Sequence, residues 1–144
     1  MDNSGTSSLI NELLIQMHRS LLQYSAESWP WASSADGSVQ QQVMELAGQQ
    51  EQAVKKMVDV LASRQYRIDF GVYPHAYTSL HFVSLEYFLG RLKESENALL
   101  SDLNAVSSQF TGDPEGAELA QSVIATQQQV VEGLKNLNLQ PAVV

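Results

Sequence analysis

The stretch 46-LAGQQEQAVKKMVDVL-61 reads as an amphipathic helix with one residue out of place. At about 100° per residue, Leu46, Ala47, Val54, Met57 and Leu61 share a face with Val43 upstream, and the centre of that face is Gln50. A buried amide without partners costs about 1 to 3 kcal/mol. A core-facing glutamine therefore implies hydrogen-bonding groups on the elements that pack against it.

The same reading locates three further helices. Ile10, Leu13, Leu14, Met17, Leu21 and Tyr24 form a stripe centred on Met17. Ser8 can cap this helix and Trp29-Pro30 ends it, which gives a first helix over about 8–28. Ser38-Val39-Gln40-Gln41 has the form of a capping box and opens the second helix, 38–64. Phe82, Leu85, Leu89, Leu92, Leu99, Leu100, Leu103 and Val106 share a face of a third, 78–109, whose polar centre is Glu96. Asp113-Pro114-Glu115 combines a cap, proline at the first helical position and an acid near the positive dipole end. It opens the fourth helix, 113–137, whose stripe of Leu119, Val123, Ile124, Val130, Val131 and Leu134 is centred on Gln127. No segment alternates with a period of two, so no sheet is predicted. The economical architecture is all-α: one domain over 1–144, with four helices facing a common core. The link from Tyr66 to Tyr77 reaches at most about 40 Å, enough either to cross a bundle or merely to turn, so reach leaves both topologies open.

Composition bounds the function. The net charge is -8 and the eight basic residues are spread along the chain, so no basic stripe exists to meet nucleic acid. Without cysteine there is no disulfide, thiolate metal site or thiol nucleophile. The apolar runs fall far short of the roughly 20 residues that span a bilayer, and MDNSGTSS lacks the marks of a signal peptide. The expectation is a soluble, cytoplasmic protein with no membrane partner. No G-x-S-x-G elbow or phosphate-binding glycine loop is present, and no catalytic residues are assigned.

Met17, Gln50, Glu96 and Gln127 are the central residues of the four stripes. Met17 and Gln50 lie 33 positions apart, Glu96 and Gln127 lie 31 apart, and a shift of 77 matches Gln50 with Gln127, Ala53 with Val130 and Met57 with Leu134. This arrangement resembles the ferritin-like superfamily, whose bundles carry a glutamate on each of two helices and Glu-x-x-His on each of the other two. The stretches LLIQMHRSLLQYSAE (13–27) and RLKESENALL (91–100) are similar to that family's first and third helices. Carried over, the resemblance places Met17 at the first glutamate, Gln50 and Ala53 at the second helix's pair, Glu96 at the third helix's glutamate, and Gln127 and Val130 at the last pair. It therefore implies the ferritin-like four-helix fold with degenerate ligands, because one carboxylate, two amides and a thioether do not make a di-iron shell. No metal or other cofactor is expected, and Gln50, Glu96 and Gln127 form a buried polar layer. The resulting expectation is a non-catalytic bundle that acts through its surface. The alternative is a metal-binding oxidoreductase or iron-handling protein that uses Glu96 with other ligands, such as His18 and Glu86. His75 and His81, with Asp69 nearby, lack a helical ligand spacing. Tyr66, Phe70, Tyr73, Tyr77 and Tyr87 belong to an aromatic-rich stretch that suits an interface, either a homodimer or a complex with another protein.

Overall fold

A computed structural model of the chain describes residues 4–31 and 37–137, and these are all-helical, with no strand. The helices are α1 (Ser4–His18), α2 (Leu21–Glu27), α3 (Gly37–Ser63), α4 (Leu85–Val106) and α5 (Pro114–Lys135), with short 3₁₀ helices at His75–Phe82 and Ser107–Gln109.

The predicted helix 8–28 is corrected twice. It begins at Ser4, so Ser8 is an exposed residue inside it and no cap. It is also broken at Arg19-Ser20, where Ser20 has extended backbone (ψ 161) and its hydroxyl accepts the Gln23 N–H. Ser20-Leu21-Leu22-Gln23 is thus a second helix start within an unbroken apolar stripe. The capping box at Ser38 is not formed either: α3 has already begun at Gly37, and the Ser38 hydroxyl accepts from the Gln42 side chain at 3.3 Å. The helix predicted over 78–109 starts at Leu85, capped by Ser84, whose hydroxyl accepts the Tyr87 N–H at 3.1 Å. Residues 78–82 belong to the preceding 3₁₀ helix, and Phe82, assigned to the buried stripe, is 91% exposed. The Asp113 cap is as expected, accepting the Gly116 N–H at 3.0 Å. Its carboxylate also receives two hydrogen bonds of 2.9 Å from Arg64 at the end of α3.

The core divides into two clusters. One gathers Ile10 to Met17, Ala53 to Leu61, Leu99 to Phe110 and Leu119 to Ile124. The other gathers Leu21 and Leu22, Val39 to Ala47, Leu85 to Leu92 and Val130 to Leu137. Followed in chain order, α1–α2 and α5 run from the first cluster to the second, whereas α3 and α4 both run from the second to the first. Two consecutive helices that point the same way need a connection as long as themselves, and residues 64–84 supply it.

This link runs along α1–α2, fastened at rising positions on both. The Asn11 side chain donates to the Asp69 carbonyl and accepts its N–H, both at 2.9 Å. Arg19 Nε donates to the carbonyls of Phe70 and Gly71. The Tyr24 hydroxyl lies 2.6 Å from His81 Nε2, and Trp31 Nε1 donates to the Val83 carbonyl. Gly71 has φ +68, and a Cβ there would stand 2.7 Å from Ile15 Cγ2, so the close approach of link to helix requires glycine. The link therefore crosses the length of the molecule, which settles the topology that reach alone left open. No helix among the described residues is long and apolar enough to cross a membrane.

Candidate functional site

Between the two apolar clusters lies a polar layer. Gln50, Glu96 and Gln127 have no exposed surface, and their side chains bond to one another. Gln50 Nε2 donates to Glu96 Oε1 at 2.7 Å and to Gln127 Oε1 at 2.9 Å. Gln50 Oε1 accepts from Ser20 Oγ at 2.8 Å and Gln23 Nε2 at 3.0 Å. Both hydrogens and both lone pairs of this amide are thereby used. Gln127 Nε2 donates to the Glu96 backbone carbonyl at 3.0 Å and to Glu96 Oε1 at 3.3 Å. The other carboxylate oxygen, Oε2, accepts one long hydrogen bond, 3.4 Å from the Leu22 N–H.

Sequence periodicity missed Ser20, Gln23 and Leu22. The signal for the first two was present in Ser20-Leu21-Leu22-Gln23, itself of capping-box form, but the unbroken apolar stripe concealed the helix start. The break matters chemically: the first N–H groups of a helix have no partner within it, and Leu22 carries one of them. Gln23 then reaches across to the Ala47 carbonyl at 2.8 Å as well as to Gln50, tying α2 to α3.

The other positions carried over by the resemblance are apolar core. Met17 and Ala53 pack in the first cluster and Val130 in the second, each 1% exposed or less. The donor set does not fit a di-iron centre. Gln50 has no free lone pair, Glu96 supplies the layer's one negative charge, and hard cations require several such oxygens. Among the described residues, no three His, Asp or Glu side chains converge. His18 lies 3.2 Å from Glu51 on α3, away from the pairing with Glu86, which is exposed in the first turn of α4. His81 is bonded to Tyr24 and Asp69 is held through its backbone by Asn11.

Burial holds the Glu96 pKa above the ordinary carboxylate value, against the opposing hydrogen bonds from Gln50, Gln127 and Leu22. Its charge reaches Tyr77, whose pKa is raised first by burial and then by Glu96. Asp113 is the opposite case, drawn down to about 2, chiefly by its hydrogen bond from Arg64.

The aromatic candidates divide. Tyr66 packs against the first cluster. Tyr73 and Tyr77 stand 5.2 and 5.5 Å from Tyr24, ring centre to ring centre, and the Arg19 guanidinium lies 4.7 Å over Tyr73. Tyr73 is pushed up to about 12, by burial and then by the charge of Glu27. These three rings serve the packing of the link. Phe70 and Tyr87 remain exposed, joined by Val72 and by Phe82, whose helical spacing had assigned it to the buried stripe.

Comparison with family models, with curated proteins and with solved structures finds no match.

Two predictions follow from the layer. Glu96→Leu strands N–H groups of Gln50, Gln127 and Leu22, at about 1 to 3 kcal/mol for each unsatisfied group. Replacing Gln50, Glu96 and Gln127 together with leucine should therefore cost clearly less than the sum of the three single changes. Denaturant melts measure this, and additive losses would show that the side chains do not act as a unit.

The second prediction concerns pH. Because the folded pKa of Glu96 lies above 4.5, the folded state holds a proton through the window between the two values that the unfolded state has released. Stability from this group thus falls as pH rises through that window and is level above it. Asp113 acts oppositely: its contribution is present above 3.8 and is lost as pH falls towards about 2. Relative to the wild type, Glu96→Gln should gain stability as pH rises above 4.5, on top of a fixed offset from its extra amide hydrogens. Melts from about pH 4 to 8 read this slope, and a pH-independent difference would contradict a buried, uncompensated carboxylate.

Proposed function

We propose that this chain is a ferritin-like four-helix bundle without a di-metal centre, a non-catalytic protein that acts through its surface by associating with a second copy of itself. The fold assignment rests on α3 and α4 running parallel with one long crossover between them, the connectivity of ferritin-like folds. The observation that carries the functional reading is the saturated Gln50 side chain: the mid-height position that holds metal in such bundles is filled by an amide with all four hydrogen-bonding sites engaged.

The choice of surface rests on apolarity and charge. Phe70, Val72, Phe82 and Tyr87 are exposed by 44, 82, 91 and 54%. Phe70, Val72 and Phe82 lie between Tyr66 and Leu85, where the only formally charged residues are Arg67 and Asp69 on a chain of net charge -8; Tyr87 lies just beyond, next to the exposed Glu86. Two such chains repel each other over most of their surfaces, and this neutral apolar stretch is where like-charged copies meet at least electrostatic cost.

Protein purified without chelators should carry far less than one metal per chain, and iron titration should leave its melting temperature unchanged. About two tightly bound irons per chain would overturn the reading in favour of the metal-dependent alternative. In sedimentation, the wild type should dimerise, and Phe82→Ser with Tyr87→Ser should weaken the dimer by about tenfold or more, as expected on losing buried aromatic anchors. Tyr73 is unsuited to this test because it is committed to Arg19 and Tyr24. A wild-type monomer at all concentrations would remove self-association.

A further inference from the structure

A cleft of about 380 Å³ opens between the end of α1 and α4, roofed by the link at Val72, Pro74 and Tyr77. That volume falls within the range of sites for small molecules. Its accessible charges are Arg19, half-buried on α1, and Asp102, exposed on α4. Glu96 stands behind the wall with no exposed surface, out of reach of anything in the cleft. Ile15, Val72, Pro74 and Leu99 give the cleft an aliphatic lining, interrupted by Gln16 and Ser95.

We propose that this cleft binds a small aliphatic amino acid as its zwitterion, the carboxylate on Arg19, the ammonium at Asp102 and the hydrocarbon against the aliphatic lining. Arg19 and Asp102 line one cleft, yet neither is ion-paired. Among the described residues the pairs join His18 with Glu51, Arg64 with Asp113 and Glu115, and Arg91 with Glu94. Arg19 is also prepared for a carboxylate. Its Nε donates to the carbonyls of Phe70 and Gly71 and its guanidinium lies over Tyr73, contacts that hold the group in place while no acidic side chain neutralises it. A guanidinium fixed in this way loses little freedom on meeting a planar carboxylate, which suits its fork of donors. Asp102 decides the rest of the ligand. A plain alkanoate would set a second negative charge near Asp102, and a plain alkylamine would set a second positive charge near Arg19. A molecule that carries both groups meets each wall charge with its opposite.

The test is titration followed by amide NMR shifts, with the isomers norvaline and δ-aminovalerate as zwitterions and with valerate and n-pentylamine as probes that each carry one of the two charges. The expected result is saturable binding of at least one isomer, more tightly than either control, and the preferred isomer reports how far apart the cleft holds the two charges. Asp102 makes no hydrogen bond or ion pair among the described residues, so Asp102→Asn leaves the fold intact. It should weaken the zwitterion by about tenfold or more, corresponding to about 1.4 kcal/mol, without weakening valerate. Ala98 is exposed on α4 and lines the cleft without taking part in the layer, so Ala98→Trp should fill the space and abolish binding. Neither Phe82 nor Tyr87 lines the cleft, so the loss of self-association and the loss of ligand binding are read independently. The proposal is overturned if neither isomer binds saturably, if valerate or n-pentylamine binds as tightly as the better isomer, or if zwitterion binding survives Ala98→Trp or is unchanged by Asp102→Asn.

Discussion

The side-chain amide of Gln50 is the joint on which the remaining structure depends. It accepts from Ser20 and Gln23 at the α1–α2 break and donates to Glu96 on α4 and Gln127 on α5. A single residue of α3 is thus bonded to α2 and its cap, to α4 and to α5. Apolar stripes can slide by a turn with modest loss, whereas an amide whose four sites are all met inside protein fits at one register only. The two apolar clusters on either side supply most of the burial, and the layer fixes how the helices are staggered against each other.

Fixing that register shapes the chain nearby. A continuous first helix would spend the Leu22 N–H within its own ladder and would leave Glu96 Oε2 without its donor. Restarting the helix at Ser20 frees that N–H and turns the Ser20 hydroxyl into both a cap and a donor to Gln50. The link 64–84 then lies along the broken helix, with Asn11, Arg19, Tyr24 and Trp31 meeting its polar groups in order. This accounts for the aromatic richness of the link: Tyr73 and Tyr77 pack on Tyr24 close to the joint.

The helices and the layer were legible because both rest on local periodicity. Gln50, Glu96 and Gln127 stand at the centres of otherwise apolar stripes, and a central position on a stripe is a buried one. The α1–α2 break was hidden because apolar spacing continues through it, from Met17 to Leu21, while the capping signal at Ser20-Gln23 lies beneath it. Phe82 shows the converse error. Its spacing extends the stripe of α4, yet Ser84 restarts the chain two residues later and leaves Phe82 outside. The direction of the crossover depends on side chains such as Asn11 and Arg19 grasping the backbone of the link, and such contacts across some 50 residues leave no local pattern.

The remaining question is why the layer keeps one carboxylate when two of its three central members are amides. The count of donors answers it. Gln50, Gln127 and Leu22 all direct N–H groups at the Glu96 side chain, and an ionised carboxylate is an acceptor at every lone pair. A glutamine at 96 would bring two hydrogens of its own into a space already supplied with donors, and at least one of them would face another N–H. Burial opposes the charge and raises the pKa, so the position suits a carboxylate by hydrogen bonding and penalises it by solvation. A group held between those two demands is stabilised by anything that adds positive charge beside it without disturbing its donors.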